Sequence, residues 1–530
     1  MIFMGKKSAT YSAKTDKHDE HKHLFGSGGK SDFIINMTPE GAQKLSGVYS
    51  MIALILVAVS SIPYYLAKQF EEGDDMLLLY TKNNSTLAFI IMTSLVMAGF
   101  IGMLIFMISC VKKEVVLNKN KGLALFGLVL VSALVSSLLA RDKGSAIFGY
   151  FDRADGLISL AGYIGFFSVG VCLTNDKWRR NASATIVGIG TANSVLGILQ
   201  SIPALSKYIP SYYNFLFIGY RQTLTEGREG VRVAEYFNSY AGYDASYAAD
   251  GLTCSPFALA ALLTVATAFA LNRAAYAEKT SSRIVNLVCT GLMTGAAVVT
   301  QTITALIGVG CVLVVSLIVA VADRTSAPDS EKKSANKGAI ITSLLSVVTA
   351  GAIVAGVVLT DNFRLRDEHI MYTDSYERLS IALYQHTAHE DDIYSTLRYE
   401  GLLMLEDHLL FGVGPDNWVT MYANDEGMEN DRTYNEYLDI AITRGLVGAA
   451  IYLAALIATL IKACRMFAGA RGGRYTKSVA YGAFAAFIAF LAQSMFNTTA
   501  NTATPFFMFT MGLIWSFEAS TGKPEKENKK

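Results

Sequence analysis

The residue types best suited to chemistry concentrate in one polar stretch near the C-terminal end, between Asp361 and Glu436. Outside the N-terminal tail, all histidines of the chain lie in this stretch: His369, His386, His389 and His408. Arg398 lies in it as well, and arginine suits phosphate because its planar guanidinium is a fork of donors that stays charged. A lipid diphosphate at a membrane surface is one candidate ligand. Ordinary surface ion pairs with Glu400 and Glu406 are the alternative.

Metal chemistry is not expected from this sequence. His386 and His389, followed by Glu390, resemble a metal half-site only loosely, and two histidines at this helical spacing are common by chance. The six cysteines lie in or beside apolar segments without close pairing, which is typical of buried small side chains rather than of disulfides or metal ligands. We therefore expect neither a metal nor a cofactor.

The composition predicts a membrane protein. Of the 530 residues, 52% are hydrophobic and 17% are charged, whereas a soluble domain carries roughly 25% charged residues. The apolar runs extend along the whole chain, which favours one membrane-embedded unit over several soluble domains. The predicted fold class is all-α and polytopic.

About 20 apolar residues are needed for a helix to cross the hydrocarbon core, and twelve segments qualify. They are residues 46–67, 86–110, 122–140, 157–173, 183–202, 252–271, 285–300, 303–322, 338–359, 440–461, 479–497 and 502–519. Only the polar residues Thr300–Thr304 separate the seventh from the eighth, so the two form either a tight hairpin or one long broken helix.

The distribution of charge predicts the topology. With twelve spans, the short basic runs at 112–113, 178–180, 331–333 and 470–474 all fall on one side, which the positive-inside rule identifies as the cytoplasm. Residues 1–45 are then a disordered basic cytoplasmic tail and residues 520–530 a second cytoplasmic tail. The transmembrane bundle covers residues 46–519 and includes extracytoplasmic loops at 203–250 and 360–436.

The second of these loops, between the ninth and tenth spans, is predicted to be partly helical. Leucines and isoleucines recur at three- to five-residue spacing from Asp391 to Leu410, which predicts an amphipathic helix lying on the membrane face. A weaker helix is predicted over 376–387. Gly412-x-Gly414-Pro415 then indicates a turn, since glycine allows positive φ and proline fixes its own.

Two consecutive motifs in this loop resemble the O-antigen ligase and O-antigen polymerase superfamily. The first is STLRYEGLLMLEDHLLFGVGPDNW and the second is DRTYNEYLDIAITRGLVG, which runs into a membrane span. Three weaker resemblances occur in the order expected for the family. They are residues 148–163 (FGYFDRADGLISLAGY), residues 250–263 (DGLTCSPFALAALL) and the last hairpin (AQSMFNTTANTATPFFMFTMGLIW). The resemblance covers most of residues 120–519.

The resemblance implies a metal-independent glycosyltransferase of the cell membrane. Such an enzyme moves a glycan from an undecaprenyl-diphosphate carrier to a hydroxyl of a glycan or lipid acceptor. Its expected partners are these substrates and the membrane lipids, not nucleic acid. In the family, outer-face arginines hold the diphosphate; the candidates here are Arg398, Arg232, Arg228, Arg221 and Arg153. Arg232 fills the position of the family's second arginine only if the tyrosine-rich insertion folds back.

The family's proposed base is a histidine, and Tyr434 occupies its position. A phenol with a pKa near 10 is a poor base at neutral pH, so Tyr434 would hydrogen-bond the acceptor or be activated by Arg432 or Arg398. His408 and Glu436 are the other candidates for the base. Asn435 matches the family's asparagine, and it is expected to support the acceptor or the loop, as are Asp416 and Asn417.

Two other functions remain open at the level of the sequence. A transporter or flippase of lipid-linked glycans tends to carry ionisable residues and broken helices near the bilayer midplane. Here the charges lie mainly in loops, which favours surface chemistry. The other alternative is a relative that binds lipid-linked glycans without reacting.

Overall fold

A computed structural model describes residues 37–63, 76–112, 121–150, 153–202, 205, 209, 249–300, 302–325, 337–360, 393–418, 432–469 and 473–517. All regular elements within these residues are helices, which confirms the predicted all-α class. In chain order they are α1 Pro39–Ala58, α2 Met76–Val111, α3 Lys121–Leu139, α4 Lys143–Phe148, α5 Leu157–Val171, α6 Asp176–Ser201, α7 Pro256–Ala275, α8 Thr280–Val299, α9 Ile303–Thr325, α10 Lys337–Thr360, α11 Ile393–Asp407, α12 Glu436–Gly469, α13 Arg474–Gln493 and α14 Thr504–Ser516.

Ten of these helices are long and apolar enough to cross a membrane, which confirms a polytopic membrane protein. Each of the twelve predicted segments overlaps one of these helices, but α5 has 15 residues and α14 has 13. A 15-residue helix is about 22 Å long, short of the roughly 30 Å hydrocarbon core. Both helices are short because polar, non-helical segments precede them. The count of twelve spans therefore stays a prediction.

The structure defines two helix boundaries that hydropathy alone did not: the start of α1 and the division between α8 and α9. Helix α1 begins at Pro39, ahead of the predicted start at 46, because Thr38 caps it: the Oγ1 atom of Thr38 accepts from the amide of Gly41 at 3.1 Å. Helices α8 and α9 are separate, since α8 ends at Val299 and α9 begins at Ile303. The predicted helix over 376–387 and nearly all of loop 203–250 lie outside the described residues.

Helix α7 lies at the centre of the bundle. In its most apolar window 89% of the residues are buried, and it packs against α6, α8, α9 and α13. The short helix α5 packs between α2 and α14. The approach to α2 is close enough that a Cβ on Gly165 would lie 2.2 Å from the carbonyl oxygen of Gly99.

A small capped helix leads the chain into α5. Asp142 caps α4: its Oδ1 accepts from the amides of Gly144 and Ser145 at 2.9 and 3.3 Å, and its Oδ2 accepts from the hydroxyl of Ser145 at 2.7 Å. These bonds, above all the one from the Ser145 hydroxyl, lower the pKa of the Asp142 carboxyl. Gly149 then ends α4 with a φ of 92°, and the chain turns into the segment that precedes α5.

Candidate functional site

Five separate segments of the chain meet at one end of the bundle, and we call them the polar junction. They are residues 153–156, 250–257, 412–418, 432–436 and 497–502. Side chains of the last segment connect to three of the others. The hydroxyl of Thr502 donates to the carbonyl of Thr253 at 3.1 Å, and the amide of Asn497 donates to the carbonyl of Phe257 at 3.1 Å. Asn501 connects the same segment to residues 153–156.

Arg432 is the centre of the junction. Its Nη2 donates to Oδ1 of Asp416 at 3.0 Å. Its Nη1 donates to Oδ2 of Asp155 at 3.2 Å, to the hydroxyl of Thr498 at 2.8 Å, and to the hydroxyl and carbonyl of Thr499 at 2.8 and 3.1 Å. The side chains of Arg432, Asp155 and Asp416 are 7%, 7% and 4% exposed. Because protein carboxylates and hydroxyls occupy this guanidinium, its role is to hold the segments together.

Asp155 and Asn501 extend this network. The hydroxyl of Tyr163 lies 2.7 Å from Oδ1 of Asp155 and 2.7 Å from Oδ1 of Asn501. The amide nitrogen of Asn501 donates to the carbonyls of Arg153 and Ala154 at 2.8 and 3.0 Å. The loop before α14 is thereby fixed to the loop before α5.

Asp416 and Asn417, predicted to support the acceptor or the loop, both make structural contacts. The second oxygen of Asp416 accepts from the backbone amides of Tyr150 and Asp155 at 2.7 and 3.1 Å. Asn417 is fully buried and donates to the carbonyl of Val413 at 2.9 Å. These bonds give the GVGPDNW motif a fixed shape against the segment that precedes α5.

The TYNEYLD motif forms the start of α12. The side-chain oxygen of Asn435 accepts from the amides of Tyr437 and Leu438 at 3.1 and 3.2 Å, so Asn435 is the N-cap residue. Asp439 reaches back and accepts from the amide and the hydroxyl of Thr433 at 2.8 and 2.7 Å. The capping bonds explain the residue types at these positions without a ligand.

The turn after α11 docks into a break in α12. Gly445 has φ 68° and interrupts that helix. The amides of Val413 and Gly414 donate to the carbonyls of Ile442 and Thr443 at 3.0 and 2.8 Å. A Cβ on Gly412, which has φ 69°, would lie 2.5 Å from the amide nitrogen of Gly445. The glycines of the two family motifs thus allow two backbones to touch.

Backbone strain concentrates in the polar junction. The non-glycine residues of the described chain with positive φ are Ala154, Cys254, Asp416 and Tyr434, at 52°, 61°, 49° and 52°. Each lies in a different one of the five segments. Such residues cost about 1–3 kcal/mol each and collect at functional sites, where the surrounding structure holds them in place. This clustering marks the junction as the candidate site independently of any motif.

Tyr434 and Glu436, two candidates for the base, lie in different surroundings. The half-buried ring of Tyr434 packs 5.1 Å from the ring of Phe257, between the starts of α12 and α7. Glu436 is 4% exposed, and its two oxygens accept from the hydroxyls of Tyr452 and Ser494 at 2.5 and 2.8 Å. Glu436 is thus bonded inside the bundle, and Tyr434 lies at its end.

His408, the third candidate, is remote from Tyr434. It follows α11, and the next residue, Leu409, accepts a bond from the amide of Leu446 at 2.8 Å. Leu446 lies beyond the break at Gly445, and the helix from Glu436 to Arg444 alone is about 13 Å long. The structure therefore does not bring His408 and Tyr434 into one constellation.

Arg398 lies in α11, which corresponds to the predicted amphipathic helix. The residue before it, Leu397, is 3% exposed, and a Cβ on Gly401 would lie 2.6 Å from Trp418 and from Ile442. This close contact fixes the half-buried Arg398 beside the GVGPDNW motif.

Of the other predicted arginines, only Arg153 belongs to the described residues. Its carbonyl accepts the bond from Asn501. Arg221, Arg228 and Arg232 lie outside the described residues, and so do His386 and His389. In the part of the chain that the structure describes, no group of three or more His, Cys, Asp or Glu could hold a metal.

Sequence reasoning identified Arg432 only as an activator of Tyr434 and did not identify Asp155, Thr499 or Asn501 at all. The available signal was position: Arg432 comes two residues before Tyr434, and Asp155 lies in the FDRADG segment. Their pairing spans 277 residues of sequence, which no local pattern encodes.

Fold and site together define a polytopic α-helical membrane protein whose strained polar segments gather at one end of the bundle. Residues 288–453 match the family model described as O-antigen ligase. This match confirms the predicted resemblance to the O-antigen ligase superfamily and includes Arg398, His408 and Tyr434, whereas Asp155 and Asn501 lie outside it. The family supports a role in surface polysaccharide assembly, suggests glycosyltransferase-like activity and implies lipid-linked glycan substrates. No curated protein matches the chain significantly.

Proposed function

We propose that this protein is a membrane-embedded glycosyltransferase that uses an undecaprenyl-diphosphate-linked glycan as donor and a hydroxyl of a glycan or lipid as acceptor. The observation that carries the proposal is the convergence of the family-like motifs on one strained polar junction around Arg432. Reaction is expected at this end of the bundle, on the side that the charge pattern predicts to be extracytoplasmic, and without a metal.

The junction is suited to an anionic donor. Four of its five segments lead directly into a helix, so α5, α7, α12 and α14 all begin beside it. A helix N-terminus carries a partial positive charge and favours anions. Because carboxylates occupy Arg432, the diphosphate contact is assigned to Arg398, with Arg153, Arg221, Arg228 and Arg232 as further candidates.

In the proposed reaction the acceptor oxygen attacks the anomeric carbon and the bond from that carbon to the diphosphate breaks. The diphosphate leaves with the electron pair, and the hydroxyl proton passes to a base or to the leaving group. Tyr434 is the proposed contact for the acceptor, because it lies in the junction at the position of the family's histidine. Glu436 is less suited, since Tyr452 and Ser494 already occupy both of its oxygens.

The test of the donor site is Arg398→Ala in purified protein supplied with a lipid-linked glycan. We expect transfer to fall by at least about a hundredfold, since a charge-assisted contact is lost from a partly buried position. Arg465→Ala is the matched control because Arg465 is exposed and lies in the far half of α12. Full transfer by Arg398→Ala contradicts the proposed donor contact.

Three variants separate the candidates for the base. Tyr434→Phe keeps the ring beside Phe257 and removes the hydroxyl, and we expect it to lose transfer without losing thermal stability. Tyr434→His restores a base at that position and is expected to transfer. If Tyr434→Phe is fully active and His408→Ala is inactive, the base is His408.

Deletion of the gene separates the two forms of the reaction. Lipid-bound polymer that is never attached to an acceptor indicates a ligase, and single repeat units at the surface indicate a polymerase. Unchanged surface polysaccharide contradicts both forms.

A further inference from the structure

Two arginines lie side by side at the end of the bundle opposite to the polar junction. Arg180 is in the first turns of α6, and Arg273 is in the last turn of α7. The other end of α6 reaches the junction, because the side-chain oxygen of Gln200 accepts from the amide of Gly251 at 2.8 Å. About 20 residues of helix, or about 30 Å, separate Gln200 from Arg180. The pair therefore lies across the bundle from the candidate active site.

The geometry of the pair is fixed by hydrogen bonds. The Nη1 atom of Arg273 donates to the carbonyl of Arg180 at 3.1 Å and to the hydroxyl of Ser183 at 2.9 Å. That hydroxyl donates in turn to the same carbonyl at 2.8 Å. The guanidinium carbon of Arg180 lies 4.0 Å from the centre of the Tyr475 ring. Three helices, α6, α7 and α13, thus hold the two guanidinium groups.

The positive charge of this pair is not neutralised by the described part of the chain. Neither Arg180 nor Arg273 forms a salt bridge with a described carboxylate, and the buried Nε of Arg273 donates no hydrogen bond there. Two carboxylates at this end bond other residues. Asp176 accepts from Arg179 at 2.9 Å, and Asp323 accepts from Lys477 at 2.8 Å.

A half-buried guanidinium whose buried Nε has no partner in the described chain, with a second arginine beside it, is stabilised by a bound anion. We propose that Arg180 and Arg273 bind the phosphate of an anionic membrane lipid. A phosphate group matches the guanidinium fork, and a lipid headgroup lies at the depth where a membrane-spanning helix such as α7 ends. Tyr475 beside the pair is the kind of aromatic residue that lines this interface.

Chemistry and location together favour a lipid over a soluble phosphate. This end of the bundle is the one that the basic runs predict to be cytoplasmic, where anionic lipids attract Lys and Arg. The proposal is independent of the glycosyltransferase assignment, because no residue of the pair belongs to the polar junction.

Native mass spectrometry of the full-length protein in mild detergent tests this site. Protein is titrated with phosphatidylglycerol and, separately, with phosphatidylcholine. We expect one phosphatidylglycerol to bind preferentially to the wild type and to Arg465→Gln, a control that removes an exposed arginine elsewhere. Arg273→Gln is expected to weaken phosphatidylglycerol binding by about tenfold or more, since it removes a charged donor.

Arg180→Gln is the second variant, and it is expected to fold because the Arg180 side chain is exposed. Undiminished binding of phosphatidylglycerol by both variants overturns the site. A third arm adds inorganic phosphate at millimolar concentration. If phosphate displaces the lipid or raises thermal stability in an Arg273-dependent way, the ligand is a soluble phosphate and the lipid assignment is wrong. If it does neither, the lipid assignment is supported.

Discussion

Removing the Arg432 guanidinium is the most informative perturbation of the polar junction. In Arg432→Gln, the carboxylates of Asp155 and Asp416 lose the cation that bonds both of them, while their side chains remain 7% and 4% exposed. Breaking a buried ion pair by removing one partner costs about 3–5 kcal/mol, because a charge is left buried without its partner. With two carboxylates left, we expect the upper part of this range, more than a hundredfold in the ratio of folded to unfolded protein.

Asp155→Asn is expected to be mild, and the reason lies in the hydrogen bonds. The new amide oxygen accepts from Arg432, and the new amide nitrogen donates to the hydroxyl oxygen of Tyr163. That hydroxyl then donates to Asn501, 2.7 Å away. All these groups keep a hydrogen-bond partner, and the net charge of Arg432, Asp416 and residue 155 becomes zero. We therefore expect the free energy of unfolding to fall by about 1 kcal/mol or less. Arg432→Gln, which removes the cation, is thus predicted to lose far more stability than Asp155→Asn, which removes one anion.

Thermal unfolding of a fluorescent fusion in detergent, followed by size-exclusion chromatography, measures these differences. Arg465→Gln is the matched control. The double variant with Arg432→Gln and Asp155→Asn buries one unpaired carboxylate instead of two, so we expect it to be more stable than Arg432→Gln alone by about 1–3 kcal/mol. Additive losses in the double variant, or a single variant Arg432→Gln as stable as the control, refute the reasoning.

Three further predictions concern single contacts and use the same unfolding assay. Gly412→Ala places a Cβ 2.5 Å from backbone atoms at a φ of 69° and should lower the free energy of unfolding by more than about 2 kcal/mol. Gly469→Ala is the control: a Cβ there has nothing within 4 Å, so stability should change little. Asn435→Ala should lower the free energy of unfolding by about 1 kcal/mol, because the N-cap of α12 is lost. Asn435→Ser keeps a capping side chain and should retain both stability and glycan transfer. Loss of transfer in Asn435→Ser contradicts the capping role. Tyr452→Phe removes a hydrogen-bond donor to Glu436 and should lower the free energy of unfolding by about 1–3 kcal/mol. The pH profile of glycan transfer should not change. A shifted profile indicates that Glu436 takes part in the reaction.

The helices were predictable from sequence because long apolar runs have few structural alternatives in a membrane. Each predicted segment overlaps a helix, and the GVG turn was expected from glycine and proline chemistry. The break at Gly445 was not predicted, because residues 440–461 match the pattern of one membrane span despite Arg444 near its start. It forms where the turn after α11 supplies bonding partners for the interrupted backbone, which is information from another part of the chain.

The candidate site was predictable only where a motif is local. Arg398 and Tyr434 lie within short motifs and were singled out because those motifs resemble the family's. The pairing of Arg432 with Asp155 joins residues 277 positions apart, and its geometry depends on how α5, α12 and α14 pack. Asn435 was expected beside an acceptor, and the structure uses its side chain as a helix cap. Residue type alone does not separate these two roles, since asparagine serves both.

The docking of the turn after α11 into α12 limits how substrates reach the junction. The amides of Leu446 and Val447, whose side chains are 46% and 39% exposed, donate to the carbonyls of Leu409 and Leu410. If this turn lifted away, these amides and the carbonyls of Ile442 and Thr443 would lose their partners in a water-poor environment, at several kcal/mol each. We therefore expect this part of the loop to stay docked on α12, and in the proposed reaction the donor reaches the junction without this turn opening.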